Sequence, residues 1–391
     1  MKKLFLLLLL GFTLVGFSQT TEIPDPNFEQ VLIDLGYDTA PIDGSVLTAN
    51  ISSVTSLYVQ NKNIADLTGI EDFTDLDYLY CYNNQLTSLD VSANSALGYL
   101  FCDNNQLTSL DVSNNTALTV LVCNFNQLTS LDVNANPALE WLYCYTNELT
   151  SVDVSLNTAL TELDFGNNNL TSLDVSNNTA LTILYSDNNQ LTSLDVSNNT
   201  SLTELYCFNN QLTSLDVSNN TDLINLYCGN NQLTSLDVSA NPALTVLNCI
   251  TNQLTSLDVR NGNNTNFSLF DSRNNSNLTC IYVDDASYST ENWTDIDPAS
   301  TFVNNEAECA LSMGDNAFEL DVTIYPNPTD NYLFIEGNKN PIFISIYNLL
   351  GAEVITKSNT NKIDVSELSN GVYIIKISDG IGQTDRKFIK N

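Results

Sequence analysis

The sequence predicts a mainly-β protein, in which a solenoid of 21-residue coils with two short parallel strands per coil is followed by a small β-sandwich. The heptapeptide LTSLDVS occurs six times with a 21-residue period, first at Leu86–Ser92 and last at Leu233–Ser239. Seven cysteines keep the same spacing. Residues 19–319 hold 3 basic and 38 acidic side chains, whereas residues 320–391 hold 7 and 8. This change in charge indicates two different modules.

Residues 1–18 have the features of a secretory signal peptide. Two lysines precede an apolar run from Leu4 to Phe17, and the small residues Gly16 and Ser18 precede a cleavage position before Gln19. A membrane anchor is the weaker alternative, because a spanning helix needs about 20 residues and this apolar run is shorter. No later stretch is long or apolar enough to span a bilayer. We therefore predict an exported chain without a transmembrane segment after cleavage.

Each coil contains two similar half-patterns. The first is L-x-x-L-x-C-x-x-N, as in residues 118–126, and the second is L-x-x-L-x-V-x-x-N, as in residues 128–136. Residues two apart in a strand point to the same side, so each half is expected to place its apolar residues inward. The Asn after each turn can bond backbone groups of neighbouring coils. A single coil cannot bury its apolar face alone, and stacking about 11 coils gives a continuous core.

The pattern L-x-x-L-x-L-x-x-N-x-L resembles the leucine-rich repeat, and the resemblance covers residues 54–283. The first repeat, residues 54–75, has apolar residues every third position from Ile64 to Phe73. That spacing is similar to the short helical turn of bacterial surface leucine-rich proteins. Later repeats depart from this form, because their second half has the pattern of another strand. We therefore expect two narrow parallel sheets along the solenoid.

Different sequences are expected to close the two ends of the solenoid. Residues 19–53 contain a helix start at Asp25-Pro26, where Asp is the N-cap and Pro is the first helical residue. This segment is predicted to be an N-terminal cap that hides the first coil's core. Residues 284–311 break the period and contain Trp293, so they are predicted to be the C-terminal cap. A linker over residues 312–319 would follow.

The chain has nine cysteines and no histidine. The seven periodic cysteines share an inward strand position with Phe165, so we interpret them as a reduced and buried ladder. Bridges between coils and a metal site are the alternatives. Parallel strands in register hold Cβ atoms near the strand spacing of about 4.8 Å, which is too far for a disulfide. Cys280 and Cys309 lie outside the period, and in an exported chain they are predicted to form a disulfide.

A row of aspartates, one per coil, marks the second half of the repeat. Like charges about 4.8 Å apart repel each other, so we expect the row either to bind cations or to titrate above an ordinary Asp. The simplest alternative is a solvated face. No cofactor is predicted. Calcium is the one candidate, but single Asp side chains in a row lack the six to eight converging oxygens that it needs. This Asp row comprises Asp90, Asp111, Asp132, Asp153, Asp174, Asp195, Asp216, Asp237 and Asp258, of which the calcium candidates are Asp111 to Asp216.

Aromatic residues concentrate beside the inward residues of the first half-pattern. These positions differ from coil to coil while the scaffold stays constant, as expected of a face used for recognition. An exposed aromatic strip can stack on sugars or dock a protein. The alternative is that aromatics favour strands and pair with each other. The predicted ligand-binding residues are Tyr78, Tyr80, Tyr82, Tyr99, Phe101, Trp141, Tyr143, Tyr145, Tyr185, Tyr206, Phe208 and Tyr227.

Residues 320–391 lack the 21-residue period and show short alternating strands between Pro, Asn and Gly turns. They predict a small Ig-like β-sandwich. The segments Tyr325–Thr329, Leu349–Gly351, Leu368–Tyr373 and Arg386–Lys390 resemble the sorting domain of type IX secretion cargo in Bacteroidetes-like bacteria. The resemblance implies passage through the outer membrane by the type IX machinery and removal of the module near residues 310–319. A carbohydrate-binding or stalk sandwich is the alternative.

Composition argues against several classes of function. A formal net charge of −34 makes nucleic acid a poor partner. The absence of His excludes a Ser-His-Asp triad and any His-ligated metal. A glycosidase needs only two carboxylates, but they must share a cleft, which a regular solenoid does not offer. The chain is therefore predicted not to be an enzyme.

These observations predict a leucine-rich repeat adhesion protein, either secreted or held at the exterior of the outer membrane. It would recognise a protein or a glycan through the aromatic strip. The alternative is a structural surface-layer component that binds divalent cations along the Asp row.

Overall fold

The computed structural model describes residues 19–315, 322–337, 343–349, 351–378 and 383–391. The predicted signal peptide and part of the predicted linker lie outside these residues. The chain divides into two compact units, one that ends at Phe302 and one that begins at Val303. The first unit is mainly a solenoid of parallel strands, and the second contains two antiparallel sheets. The predicted mainly-β fold class is confirmed.

A short antiparallel ladder and two helices precede the first coil. β1 (Thr20–Glu22) pairs with β2 (Ser45–Leu47), and α1 (Pro26–Asp34) and α2 (Thr48–Ile51) flank the latter strand in sequence. Asp25 caps α1 through Oδ1, which accepts the backbone N–H groups of the second and third helical residues. Its Oδ2 accepts the N–H groups of Ala65 and Asp66 in the first coil. One carboxylate therefore fixes both the helix start and its position on the solenoid.

The first half of each coil contributes one three-residue strand to an 11-stranded parallel sheet. Neighbouring strands pair in register, so Leu79, Leu100 and Leu121 lie side by side at the central position. The same position is filled by Leu or Phe in every strand of the sheet, which gives one continuous inner row. The strands are β3 (Ser56–Tyr58), β4 (Tyr78–Tyr80), β5 (Tyr99–Phe101), β6 (Val120–Val122), β7 (Trp141–Tyr143), β8 (Glu162–Asp164), β9 (Ile183–Tyr185), β10 (Glu204–Tyr206), β11 (Asn225–Tyr227), β13 (Val246–Asn248) and β15 (Leu269–Asp271).

The second half of the coil differs from the prediction. A second sheet forms only near the C-terminal end, in the order β12 (Ser235–Asp237), β14 (Ser256–Asp258), β16 (Cys280–Tyr282) and β17 (Thr301–Val303). In earlier coils, an isolated bridge between Asp90 and Asp111 is the counterpart of this ladder. There the backbone groups are satisfied by turns inside each coil, as when the N–H of Asn115 donates to the carbonyl of Val112. The single predicted helical turn of the first repeat is present as a 3-10 helix, Ile70–Asp72.

Leucine, valine and cysteine fill the solenoid interior, and two rows of Asn bond its backbone. Asn126 shows the pattern of the first row: its Nδ2 donates to the carbonyls of Cys102 and Cys123, and its Oδ1 accepts the N–H of Leu107. The second row includes Asn115, whose Nδ2 donates to the carbonyls of Val91 and Asn94. Each Asn therefore bonds backbone groups of a neighbouring coil. The amide rows hold the coils in register because the same bonds recur from one coil to the next.

The seven periodic cysteines are free and fully buried. Cys123 and Cys144 have their Sγ atoms 3.4 Å apart, which is a thiol contact and not a covalent bond. Burial raises the pKa of the Cys102 and Cys207 thiols well above the ordinary value. These residues therefore behave as small apolar core residues. Cys280 and Cys309 are disulfide-bonded, as predicted.

Aromatic side chains close the C-terminal end of the core. Trp293 follows α3 (Ala286–Asn292) and stacks on Phe270, with ring centroids 4.3 Å apart. Phe302 meets the same indole edge-on at 5.7 Å. Trp293 is buried, so it covers the last coil's apolar interior as a plug.

The second unit begins near α4 (Glu306–Asp315) and continues with two antiparallel sheets. One has the order β18 (Val322–Tyr325), β19 (Tyr332–Gly337), β22 (Lys362–Asp364). The other has the order β21 (Glu353–Ser358), β20 (Phe343–Asn348), β23 (Gly371–Ser378), β24 (Gln383–Lys390). A separate apolar core, which includes Leu333, Ile346 and Phe388, is buried in this unit.

Candidate binding face

The outward side of the 11-stranded sheet is here called the strand face. Three residues of each coil contribute side chains to this face. They are the first and third residues of the strand and the residue that follows the periodic cysteine or its replacement, because the residues between them point inward. Parallel pairing in register places equivalent side chains of successive coils next to one another. The repeat therefore converts single residues, one from each coil, into rows along the solenoid. All twelve predicted ligand-binding residues lie on this face.

Six aromatic residues of the first coils form what we call the N-terminal aromatic group. The rings of Tyr78 and Tyr99 stack with centroids 4.3 Å apart and planes within 6°. A second stack runs from Tyr58 through Tyr80 to Phe101, with centroids 4.9 and 4.6 Å apart. The group comprises Tyr58, Tyr78, Tyr80, Tyr82, Tyr99 and Phe101. Each ring in the two stacks therefore has at least one face covered by a neighbouring ring.

The predicted strip is interrupted in the next coil. Val120 and Val122 occupy the first and third positions of β6, and both are buried. Beyond this gap lies a second aromatic group, in which Trp141 is 41% exposed and Tyr206 stacks on Tyr227 at 4.6 Å. The group comprises Trp141, Tyr143, Tyr145, Tyr185, Tyr206, Phe208 and Tyr227. The twelve predicted residues therefore form two groups and not one continuous strip.

Carboxylates interleave with the second aromatic group. The hydroxyl of Tyr143 donates to Glu162, and that of Tyr185 donates to Glu204 at 3.4 Å. Burial, followed by the charge of Glu204, raises the pKa of Tyr185 to about 12. The phenols therefore stay protonated and act as donors to the acids. This mixture of rings and carboxylates makes the middle of the strand face both apolar and negative.

Asp164 and Asp187 occupy neighbouring coils beside Gly166. The N–H of Gly166 donates to Asp164 Oδ1 at 2.9 Å. Burial raises the pKa of Asp164 to about 6, and the charge of Asp187 adds to the shift against the opposing hydrogen bond from Gly166. Burial likewise raises the pKa of Asp187. Two carboxylates thus lie in surroundings that disfavour their charge.

The motif search missed several residues of this face. Tyr58 is 49% exposed and stacks on Tyr80, but it lies in the irregular first repeat. Phe125 is 45% exposed at a turn position that Asn occupies in most coils. A Phe where most coils have Asn could have identified this position from the sequence. The carboxylates Glu162, Asp164, Asp187 and Glu204 were also missed, because only aromatic residues were scored on this face.

The Asp row lies on the second half of the coils, and its expected upward titration is wrong. Asp111, Asp153 and Asp195 each accept two hydrogen bonds from the Ser two residues later, one from its side chain and one from its backbone N–H. These bonds stabilise the charged carboxylate and therefore lower its pKa. The backbone bond from Ser197 to Asp195 Oδ1 measures 2.9 Å. These bonds outweigh repulsion between coils because the carboxylates are exposed and well solvated. Within the described ranges, no group of three or more Cys, Asp or Glu side chains is arranged to hold a metal ion.

Comparisons with known proteins agree with both units. Residues 323–391 match the family described as secretion system C-terminal sorting domain. The structure of the functional domain of InlJ from Listeria monocytogenes, described as including a cysteine ladder, superposes with a TM-score of 0.57 and 28% identity over 96% of this chain and 99% of that chain. The chain is a leucine-rich repeat protein with a secretion sorting domain.

Other relatives of this leucine-rich repeat protein share its fold. An internalin of L. monocytogenes, InlF, is 22% identical over 71% of this chain and 92% of its own, with a TM-score of 0.54. A leucine-rich repeat protein of Leptospira interrogans is 20% identical over 65% of this chain and 73% of its own, also at 0.54. Internalin J of L. monocytogenes serotype 4b is 45% identical over 72 residues, which are 18% of this chain and only 8% of that protein.

The sorting domain determines the location of the leucine-rich repeat protein, which is secreted or displayed at the cell surface. In the part of the chain that the structure describes, no helix combines the length and hydropathy needed to cross a bilayer.

Proposed function

We propose that this protein is an adhesion protein that binds a protein ligand through the strand face, with the second aromatic group at the centre. The observation that carries the proposal is the exposure of Trp141 and Phe125, at 41% and 45%, beside hydrogen-bonded Tyr and carboxylate pairs. Large rings that are held in place and remain accessible are typical of the residues that dominate protein interfaces.

The ring geometry favours a protein over a glycan. Sugars stack on free aromatic faces, whereas in the second aromatic group the rings of Tyr206 and Tyr227 stack on each other, with centroids 4.6 Å apart. Ring edges, phenol hydroxyls and carboxylates suit the mixed polar and apolar surface of a protein. A glycan ligand remains an outcome of the experiment below.

We further propose that the protein acts by binding and not by catalysis. The raised pKa of Asp164 is a property that acid–base catalysts share. However, Asp164 is a strand residue of an open sheet face, and general acid–base catalysis on a sugar needs two carboxylates on opposite sides of an enclosed bond. The surface-layer alternative is not supported, because no metal-binding group is found in the described residues.

The proposal is tested with the full chain on an array of extracellular proteins and glycans. The double variant Trp141→Ala, Tyr145→Ala should lose at least tenfold in affinity for the ligand that the array identifies. Aromatic side chains that become buried in a protein interface can each contribute about 2 kcal/mol or more to binding. Leu156→Ala is the matched control, since it removes an exposed apolar side chain from the second half of a coil. Equal loss in both variants, or no loss in the double variant, would contradict the proposal.

A further inference from the structure

Strand β24 lies at one edge of the four-stranded sheet in the second unit. It pairs with β23 on one side, and the sheet ends there. An edge strand presents a row of backbone N–H and C=O groups that can pair with a strand of another chain. The free side of β24 is therefore open to strand addition unless another segment covers it.

The side chain of Asn327 occupies this free side in place of a strand residue. It lies in what we call the edge loop, residues 326–331, which joins β18 to β19 of the other sheet. Asn327 Oδ1 accepts the N–H of Ile389 at 2.9 Å, and its Nδ2 donates to the carbonyl of Lys387 at 3.0 Å. A neighbouring strand would make the same two kinds of bond with its backbone. One amide side chain thus satisfies one donor and one acceptor of the edge.

Thr329 extends the contact with its backbone. Its N–H donates to the carbonyl of Ile389 at 2.9 Å, and its carbonyl accepts the N–H of Asn391 at 3.0 Å. Thr329 is buried, and its hydroxyl donates to the carbonyl of Tyr332 at 2.7 Å, which fixes the edge loop to β19. Four backbone groups along the free side, from the Lys387 carbonyl to the Asn391 N–H, are therefore bonded by two residues of one loop.

The edge loop does not offer a new edge in its turn. Pro326 and Pro328 flank Asn327 and have no N–H group to donate. Proline at an edge is one of the means by which proteins prevent strand pairing. The contact also joins distant parts of the chain, since Asn327 and Lys387 are 60 residues apart. The loop therefore ends the sheet on this side.

We propose that Asn327 and the edge loop close β24 against strand addition by a second copy of this chain. The exposed side chains of Ile374 and Ile389 lie on the adjacent strands β23 and β24, where Ile374 pairs with the residue two before Ile389. An open edge beside exposed apolar side chains is a template for association. A second copy carries the same edge and the same two isoleucines, so it is the partner that an open β24 would meet.

The chemistry of residue 327 determines how far the edge is closed. An amide supplies an acceptor for the Ile389 N–H and a donor for the Lys387 carbonyl. An Asp at this position has the same length and keeps the acceptor, but it has no donor. An Ala has neither group. The series Asn, Asp, Ala at position 327 should therefore open the edge in two steps.

The test uses the full chain, residues 19–391. Sedimentation velocity over a range of concentrations measures association, and hydrogen exchange with mass spectrometry measures protection in residues 383–391. We expect Asn327→Ala to self-associate at least tenfold more strongly than the wild type and to exchange the Ile389 amide at least tenfold faster. Asn327→Asp should also associate more strongly, while the Ile389 amide stays within threefold of the wild-type rate because its acceptor remains.

Two further variants locate the association. Lys387→Pro, added to Asn327→Ala, removes an N–H from the free side of β24. It leaves the bonds to β23 intact, because the N–H and C=O of one residue in an antiparallel strand point to the same side and the Lys387 carbonyl faces Asn327. This variant should return association to the wild-type level. Asn331→Ala, the matched control, removes an exposed amide from the same loop and should change both measurements less than twofold.

Three results would overturn the inference. They are wild-type association in Asn327→Ala, association that persists after Lys387→Pro is added, and an equal effect of Asn331→Ala. If Asn327→Ala does not fold, which loss of protection throughout the second unit would reveal, Asn327→Asp decides the question. Wild-type association in that variant would reject the closing role of the edge loop.

Discussion

The ring of Phe125 meets the ring of Tyr145 edge-on, with centroids 5.4 Å apart and planes at 75°. Phe125 holds this contact from a left-handed backbone conformation, with φ of 51°. The equivalent position in most other coils is Asn, for example Asn104 at φ 53°. Asn tolerates the left-handed region better than a bulky residue does. The exposed ring is therefore kept at a conformational cost beside the second aromatic group, which suggests that it serves binding.

Replacing Phe125 with Asn should separate stability from binding. We expect Phe125→Asn to raise the free energy of unfolding by up to about 1 kcal/mol, because the backbone strain is relieved. The affinity for the array ligand should fall at the same time. Urea unfolding and the array assay measure the two effects. Asn104→Phe is the reverse control and should destabilise, and a Phe125→Asn variant that loses both stability and binding would show that the ring is structural.

Asp164 should make stability fall as the pH rises. Its pKa is raised from 3.8 to about 6 in the folded chain, so the native state binds this proton more tightly than the unfolded state does. Stability from this group is full below about pH 4 and is lost as the pH rises to about 6. Asp164→Asn cannot ionise and should be more stable by about 3 kcal/mol at pH 7, with little gain at pH 4. Thermal unfolding between these pH values measures the difference.

The exposed Asp174 provides the control, because hydrogen bonds from Ser176 lower its pKa. Asp174→Asn should give no gain at neutral pH. A similar gain in both variants would mean that relief of the overall negative charge, and not burial of Asp164, explains the effect.

Six aspartates of the Asp row should titrate below an ordinary Asp, namely Asp90, Asp111, Asp153, Asp174, Asp195 and Asp216. Ser197 lowers the pKa of Asp195 through its side chain and its backbone N–H. Removing the hydroxyl in Ser197→Ala should raise the pKa of Asp195, whereas Ser193→Ala should leave it unchanged. Carboxyl ¹³C NMR titration measures both. A lowered pKa contributes stability above the unfolded value, and this stability is lost as the pH falls through the folded value. An unchanged titration in millimolar calcium would argue against the surface-layer alternative.

The periodic cysteines should react with thiol reagents only after unfolding. All seven are fully buried, and burial raises the pKa of Cys228 to about 12. The thiolate is the reactive form, so native protein should show almost no reaction with a chromogenic disulfide reagent. Seven thiols should react in denaturant, and Cys280 and Cys309 should add two more after reduction. Fast reaction of any periodic cysteine without denaturant would contradict the buried ladder.

Periodicity made the solenoid predictable, and departures from it account for what was missed. Leu121 and Cys123 recur often enough to reveal the inner rows, because each coil repeats the same packing problem. The strand predicted for the second half of every coil forms only near the C-terminal end of the solenoid. The alternation of apolar and polar residues predicts which side chains point inward, but it does not show whether the backbone groups bond to the next coil or within a turn. Asp164 and Asp187 were missed because only aromatic residues were scored on this face, and the burial that raises the pKa values of these carboxylates exists only once the coils are stacked in register.

The buried Asn rows should contribute more to stability than exposed Asn residues of the same coils. Asn231 Nδ2 donates to the carbonyls of Cys207 and Cys228, and its Oδ1 accepts the N–H of Leu212 at 2.9 Å. Asn231→Ala would leave buried backbone groups without partners, at a cost of about 1–3 kcal/mol each. We expect a loss of about 3 kcal/mol or more in urea unfolding, from the same unpaired groups, and faster hydrogen exchange at the Leu212 amide. Asn219→Ala is the control.

Asn219 lies twelve residues earlier and donates one exposed bond, to the carbonyl of Ser197 at 3.2 Å. Its replacement by Ala should cost less than about 1 kcal/mol, because water can take over the bond. Equal losses in the two variants would mean that the buried amides merely fill space. A large loss of stability in Asn231→Ala, with faster amide hydrogen exchange only in the coils around Leu212, would show that each buried Asn stabilises the coils next to it. This is expected if the stability of the solenoid is a sum of contributions from adjacent coils.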